Sequence, residues 1–206
     1  MSELLYINAS PRGQESAAGQ AAKVLIEALP SAVNVTTVNL FEVELPDVTP
    51  ELISAKFNFA MGASLSTKET RIWEKVTEMV NQFTKADNVL LAIPMWNFSI
   101  PYKMKHYIDL ITHPGLTFIQ SESGLKGLAS GTGTVIFSRG GDYSPKKGKP
   151  DAFDFQSPYL SAWLNLVGIA PINEVLVQRT LAGPDAQEKA VESVTAELES
   201  IASKLS

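Results

Sequence analysis

Hydrophobic and polar positions follow two alternating patterns along this chain. Short apolar runs, typical of buried strands, occupy 4–8, 33–40, 89–93, 134–137 and 175–177. Longer segments, in which apolar residues recur every three or four positions, predict helices over 19–29, 51–61, 67–86, 101–111, 159–167 and 184–205. Strands that alternate with helices in this way indicate an α/β fold. We expect a doubly wound sheet of five parallel strands with helices on both faces.

Composition narrows the class of protein further. The chain has 206 residues, of which 45% are hydrophobic and 19% charged, and we expect a single domain spanning 1–206. The net charge of −5 argues against nucleic acid and anionic lipid as partners. No apolar run approaches the roughly 18–20 residues that a membrane span needs. The N-terminus lacks the pattern of a signal peptide, and we expect a cytoplasmic protein.

The residue inventory excludes several chemistries. The chain has no cysteine, which removes disulfides, zinc ribbons and thiol catalysis. It has two histidines, His106 and His113, and no carboxylate cluster stands beside them at ligand spacing. We therefore expect no metal site. A Ser-His-Asp hydrolase would have few candidates for its base.

The loop after the first strand has the features of a phosphate site. Ser10, Arg12, Gly13 and Ser16 precede a predicted helix, whose N-terminus offers unpaired N–H groups and a partial positive charge. The pattern is neither a Walker loop nor a dinucleotide fingerprint, and it suits one monophosphate. A plain helix cap by Ser16 explains the same residues, and this alternative stays open.

The loop after the third strand is stiffened by a proline at each end, Pro94 and Pro101. Between them lie an amide, a thioether and two large aromatic rings, from Met95, Trp96, Asn97 and Phe98. This mixture suits a flat apolar ring with hydrogen-bonding edges, such as a flavin. A turn that faces the core is the alternative.

The loop after the fourth strand contains Ser138, Arg139, Gly140 and Gly141. Consecutive glycines allow a backbone to approach a planar ligand closely, although a simple glycine turn has the same sequence. In a sheet of order 2-1-3-4-5, all three loops leave the same edge, where ligands of such folds bind. Gly131 and Gly133 precede their strand and predict only a turn. The polar stretch 139–158 predicts a long functional or interface loop.

With these motifs in place, the sequence resembles the FMN-dependent NADH azoreductase family, relatives of the quinone reductases with a flavodoxin-like fold. The resemblance runs through nearly the whole chain. The matching segments are 10–16, 94–98 with Lys105, Tyr107 and Asp109, 115–118, 124–128, 138–141 and 157–169.

The resemblance implies a flavodoxin-like fold and a homodimer with one FMN per subunit near the interface. It also implies a two-electron ping-pong reaction, in which NADH or NADPH reduces FMN and leaves before a quinone or azo compound is reduced. The choice between NADH and NADPH stays open. A flavodoxin-like electron carrier without its own substrate turnover, and a flavin-free α/β domain, are the alternatives.

Site residues follow from the same resemblance. The phosphate would be held by Ser10, Ser16, Ala17 and Ala18. The ring would be held by Pro94, Met95, Trp96, Asn97, Phe98, Ser138, Arg139, Gly140 and Gly141, with Tyr143 beside its polar edge. Asn97 and Tyr143 are the candidate polar groups near the acceptor, whose pocket would be lined by Phe59, Phe118, Gln120 and Trp163. The family often carries a hydroxyl at the position of Ala18 and an aromatic residue at the position of Gln120.

Overall fold

A computed structural model describes residues 2–143 and 153–205 of the chain. The strands in the described residues are β1 (Ser2–Asn8), β2 (Val33–Asn39), β3 (Asn88–Pro94), β4 (Phe118–Ser121), β5 (Gly124–Gly127), β6 (Thr132–Ser138) and β7 (Ile172–Val177). The helices are α1 (Ala17–Glu27), α2 (Pro50–Ala60), α3 (Thr67–Thr84), α4 (Tyr102–Ile111), α5 (Ser157–Val167), α6 (Ala186–Glu192) and α7 (Thr195–Ala202).

Five of the strands form one parallel sheet in the order β2-β1-β3-β6-β7. Counting only the strands of this sheet, the order is 2-1-3-4-5, so the predicted fold class and strand order are confirmed. The order in which strands are added reverses between β1 and β3, because β2 lies on one side of β1 and the later strands lie on the other. The open crevice of such a sheet lies at this point, beyond the carboxyl ends of the strands.

The sheet is covered on both faces, which explains why its inner strands are apolar throughout. Along β1, Leu5 and Ile7 pack into a cluster with the residues of α3, α4 and α5. Leu4 and Tyr6 face the other way and pack with α1 and α7. Successive side chains of a strand point to opposite faces, so each face receives its own core. Both cores hold the carboxyl edge of the sheet rigidly.

Two features differ from the sequence prediction. The closing helix predicted over 184–205 is divided into α6 and α7, because the Ser193 hydroxyl donates to the Ala190 carbonyl and Val194 bonds back only three residues, to Val191. The sequence pattern also missed the antiparallel hairpin of β4 and β5. This hairpin is largely exposed and carries no alternation of buried and polar positions. Among the described helices, none has the length and apolarity needed to cross a membrane.

Candidate functional site

Three loops leave the sheet side by side at its carboxyl edge. They follow β1, β3 and β6, which are neighbours in the sheet. The register pairs Asn8 with Ala92 and Pro94 with Ser138, so the three strands end close together. The amide of Ala9 continues this pairing by donating to the Ala92 carbonyl at 3.0 Å. The residues predicted to bind phosphate and ring therefore surround one crevice.

Local hydrogen bonds fix the first loop. The Asn8 Oδ1 accepts from the Ser10 amide at 2.9 Å, and the Ser10 Oγ accepts from the Arg12 amide at 3.3 Å. Gly13 then adopts a φ of +52°, which glycine reaches without strain, and begins a short 3-10 turn. A Cβ on Gly19 would lie 2.2 Å from the Gly13 carbonyl oxygen, so glycine is needed there for the turn to pack on the helix.

Ser16 caps helix α1. Its Oγ accepts from the Gly19 amide at 3.0 Å and donates to the Gly13 carbonyl at 2.8 Å. The Ser16 hydroxyl is therefore a helix cap, as in the alternative interpretation. Capping by this hydroxyl still leaves backbone N–H groups of the loop without a partner in the described part of the chain. The buried amides of Ala17 and Ala18 make no hydrogen bond among the described residues, because no helical carbonyl precedes them. Two N–H groups and the positive end of the helix are thus available to an anion.

The second loop is a tight turn. Trp96 and Ser99 exchange both backbone hydrogen bonds, at 2.9 and 3.0 Å. The two central residues, Asn97 and Phe98, have φ values of +48° and +71°, which is the geometry of a type I′ turn. Asparagine tolerates this region, whereas for phenylalanine it is strained. Because Trp96 and Phe98 are 37% and 41% exposed, the turn does not face the core.

Aromatic side chains flank this turn on both sides. The Trp96 ring lies 5.7 Å from Phe41, and the Phe98 ring lies 4.9 Å from Phe153 and 6.1 Å from Tyr143. Tyr143 is held by its amide, which donates to the Gln178 Oε1 at 2.8 Å. The structure thus brings Tyr143 beside the turn that carries Phe98.

The third loop is bonded through its carbonyls to the segment that follows β7. The Gly141 carbonyl accepts from the Arg179 amide at 3.0 Å, and the Gly140 carbonyl accepts from the Leu181 amide at 3.4 Å. A Cβ on Gly140 would lie 2.8 Å from the Leu181 Cδ1, and one on Gly141 would lie 3.3 Å from the Tyr143 ring. The amides of Gly140 and Gly141 make no hydrogen bond within the described residues. They are the donors that this loop offers to a ligand.

The side chain of Arg139 is enclosed by protein, and the predicted role of this residue at the ring stays a prediction. Arg139 is only 1% exposed. Its Nη2 lies 2.9 Å from the Asp154 Oδ2, and its Nε donates to the Gln156 Oε1 at 3.1 Å. Burial raises the pKa of Asp154, but hydrogen bonds from Ser157 and the charge of Arg139 together hold that pKa below its usual value. The interior interactions explain the orientation of the guanidinium.

The contacts of three predicted acceptor-pocket residues, Phe59, Phe118 and Trp163, lead to the end of α4 around Thr112 and His113. Trp163 is 5% exposed, its ring packs 5.4 Å from Phe83, and its Nε1 donates to the Thr112 hydroxyl, so its place in the acceptor pocket stays a prediction. The Phe59 ring lies 5.1 Å from Trp73, whose ring lies 4.9 Å from His113. Phe118 and Gln120 lie on β4 of the hairpin. Of the predicted loop 139–158, residues 144–152 lie outside the described residues.

Sequence reasoning missed Asp154, Phe155 and Gln156, which lie next to the turn of Asn97 and Phe98. They belong to an aperiodic stretch in which no pattern distinguishes a buried residue from an exposed one. A cavity of about 600 Å³ adjoins the turn, lined by Ser99, Ile100, Lys105, Asp154, Phe155, Pro158 and Tyr159. In the described ranges, no group of three or more His, Asp and Glu side chains is arranged to hold a metal ion.

Known proteins resemble this chain over its whole length. The family described as "Flavodoxin-like fold" matches residues 2–202. An FMN-dependent NADH:quinone oxidoreductase of Desulfotalea psychrophila is 41% identical over 98% of this chain and 95% of its own length. The FMN-dependent NADH:quinone oxidoreductase 3 of Pseudomonas fluorescens is 36% identical, with coverage of 100% and 98%. The crystal structure of an FMN-dependent NADH-azoreductase from Bacillus anthracis, in complex with FMN, has a TM-score of 0.85 and 26% identity, covering 98% of this chain and 100% of that one.

Proposed function

Because the chain belongs to the FMN-dependent NADH:quinone oxidoreductase family of flavodoxin-like fold, we propose that it transfers two electrons from NADH through FMN to quinones and azo compounds. The observation that carries the proposal is the set of backbone N–H groups at one edge of the sheet. The amides of Ala17, Ala18, Gly140 and Gly141 surround the crevice without partners among the described residues. Such an arrangement suits a ligand with a phosphate at one end and a polar ring edge at the other.

The donor set fits FMN. The amides of Ala17 and Ala18 at the start of α1 would hold the phosphate, and Arg12 at the rim, whose Nη2 donates to the Glu15 carbonyl, would add positive charge. The amides of Gly140 and Gly141 would meet the polar edge of the ring, and the exposed rings of the turn would flank its apolar part. When bound, FMN supplies a ring that accepts a hydride and passes on two electrons.

The protein's own contribution is binding and orientation. The turn of Asn97 and Phe98 is fixed by two backbone hydrogen bonds, so a planar substrate beside it would meet a rigid surface. Asn97 and Tyr143 would offer polar groups to the acceptor. The overall reaction then converts NADH, a proton and a quinone into NAD⁺ and a hydroquinone. An azo bond takes four electrons and four protons, from two NADH and two protons, and yields two amines.

We also propose that the chain forms a homodimer, with the acceptor pocket completed by the second copy. The Phe59 ring packs on Trp73 of α3, and Phe118 and Gln120 pair with β5 in the hairpin. Large apolar side chains around these residues are exposed, among them Phe57, Met61 and Leu125. Exposed apolar side chains of this size support an interface. Light scattering coupled to size exclusion tests the mass, and a monomer that retains full turnover would overturn this proposal.

The stoichiometry of the reaction tests the proposed activity. The FMN-loaded protein is given limiting NADH with a quinone, and in parallel with an azo dye. We expect one NADH consumed per hydroquinone formed and two per azo bond cleaved. Oxidation of NADH that requires a separate reductase would instead support the electron carrier. Failure to retain FMN would support the flavin-free domain.

A further inference from the structure

Arg139 is a charged side chain enclosed by protein. A buried cation is costly unless it is paired and hydrogen-bonded. The described partners of its guanidinium are the Asp154 carboxylate and the Gln156 side-chain amide, and its Cζ lies 5.5 Å from the Phe137 ring. Both polar partners come from the segment 153–156, which immediately precedes helix α5. The arginine of the third loop therefore determines where this segment lies.

The same segment is tied to the sheet at further points. The Gln156 Nε2 donates to the Ile93 carbonyl in β3 at 3.0 Å. The Asp154 Oδ1 accepts from the amides of Gln156 and Ser157 at 3.1 and 3.0 Å, at the start of α5. Arg139, Asp154 and Gln156 form a network in which the main polar groups are hydrogen-bonded. A buried network that is satisfied in this way is rigid.

The segment in turn holds the second loop. The Phe155 amide donates to the Phe98 carbonyl at 3.0 Å, and the Ser99 hydroxyl donates to the Phe155 carbonyl at 3.4 Å. Phe98 is the residue with the strained φ of +71°, a conformation that persists only where the surroundings enforce it. Phe155 also lines the cavity of about 600 Å³ beside the turn, together with Ser99 and Asp154. Contacts that begin at Arg139 thus extend to the wall of that cavity.

We propose that Arg139 is a positioning residue, which acts through Asp154 and Gln156 to fix Phe155 and the Phe98 turn and so sets the size of acceptor that the site takes. The statement about acceptor size, the acceptor half, rests on the proposed function. The statement that Arg139 fixes Phe155 and the Phe98 turn, the positioning half, concerns the protein alone.

Asp154→Asn is the informative variant, because it keeps the shape and the acceptor oxygen for the α5 amides while removing the charge opposite Arg139. Asp154→Glu retains the charge. Glu27→Gln removes a carboxylate from the exposed Lys23–Glu27 pair and serves as the matched control. If Asp154→Asn does not fold, Gln156→Met removes the bonds to Arg139 and Ile93 while leaving the ion pair.

The first readout is hydrogen exchange in the FMN-free protein. We expect peptides containing the Phe155 amide to exchange about tenfold faster in Asp154→Asn, since a lost charge-assisted hydrogen bond is worth more than 1.4 kcal/mol. Peptides from β1 should exchange as in the unmodified protein. Equal acceleration in both regions, as general destabilisation would produce, overturns the proposal, and so does no acceleration in either.

The second readout is acceptor selectivity. The ratio of kcat/KM for a small benzoquinone to that for a bulky azo dye should change by several-fold in Asp154→Asn, while the FMN Kd changes by less than twofold. Asp154→Glu should recover part of the ratio, and Glu27→Gln should keep it. An unchanged ratio overturns the acceptor half. If the unmodified protein shows no NADH:quinone turnover, both the proposed function and the acceptor half are contradicted. Hydrogen exchange then still decides the positioning half.

Discussion

The backbone amide of Met95 donates a hydrogen bond to the carbonyl oxygen of Ser138 at 2.8 Å. Pro94 and Ser138 are register partners, so this bond extends the pairing of β3 and β6 beyond the last residue of β3. The second and third loops therefore leave the sheet as one unit. The two sides of the proposed ring site are set by the sheet and its cores, before any ligand binds.

Ser16→Asp separates helix capping from phosphate binding. Aspartate keeps the bond from the Gly19 amide but cannot donate to the Gly13 carbonyl, so the free energy of unfolding should fall by about 0.5–1.5 kcal/mol. A carboxylate beside the proposed phosphate site should repel the ligand and raise the FMN Kd by about tenfold or more. Fluorescence titration of FMN into the FMN-free protein measures the Kd, and urea denaturation measures the stability.

The control is the same change at another cap. Thr49 caps α2 by accepting from the Leu52 amide at 3.3 Å, so Thr49→Asp adds the same charge at another helix cap. It should leave the FMN Kd unchanged. If Ser16→Asp binds FMN as tightly as the unmodified protein, the phosphate does not lie at the start of α1.

Two substitutions of Phe98 test the strained turn. At a φ of +71°, glycine is favoured over other residues by about 1–2 kcal/mol. We therefore expect Phe98→Gly to be more stable than Phe98→Ala by about 1 kcal/mol, although glycine usually destabilises. Urea denaturation of both variants measures the difference. A less stable glycine variant would show that the backbone at this position is not left-handed.

Trp163→Phe tests whether this residue lines the acceptor pocket or only packs in the core. The variant loses the hydrogen bond from Nε1 to the Thr112 hydroxyl and part of the packing against Phe83. We expect the free energy of unfolding to fall by about 1–3 kcal/mol. The KM values for quinones of different size should stay within about twofold of those of the unmodified protein. A change in acceptor preference at unchanged stability would place Trp163 in the pocket.

The buried ring of His113 allows a test by pH. Burial, together with the charge of Lys56, lowers the pKa of His113 to about 4, although the bond from Nε2–H to the Leu110 carbonyl opposes the shift. In the unfolded chain the His113 ring has its ordinary pKa near 6.5. As the pH falls, the unfolded chain therefore binds this proton at a higher pH than the folded protein does. Stability contributed by the neutral ring is therefore present above pH 6.5 and is lost as the pH falls toward 4. The slope is at most about 1.4 kcal/mol per pH unit.

Urea denaturation at pH 7 and pH 5 measures this effect. His113→Gln should lose less stability between these pH values than the unmodified protein. If His113→Gln loses as much stability as the unmodified protein does, the neutral buried state of His113 is not present.

Periodicity in the sequence predicted most of the fold, because buried strands and amphipathic helices leave patterns that survive without tertiary information. The run over 89–93 and the order of the sheet are examples. The break between α6 and α7 was missed, because a serine such as Ser193 occurs within helices as well as at their ends. The hairpin of β4 and β5 was missed because an exposed hairpin needs no hydrophobic alternation.

For the site, the sequence predicted which loops meet but not which way their side chains point. Arg139 stands within a motif of the third loop, yet its orientation depends on Asp154, fifteen positions away in an aperiodic segment. Such pairing is decided by desolvation and by geometry that residue spacing does not encode. Trp163 likewise fits an aromatic position of the resembled family, and the packing of Phe83 and Thr112 places it in the core.

The most direct test of the proposed activity is an anaerobic absorbance experiment on the FMN-loaded protein. NADH is added first, and a quinone follows once the spectrum is constant. We expect the visible flavin bands to bleach with one equivalent of NADH and to return fully with one equivalent of quinone. A flavin spectrum that NADH leaves unchanged, or a protein that retains no FMN, would contradict the account.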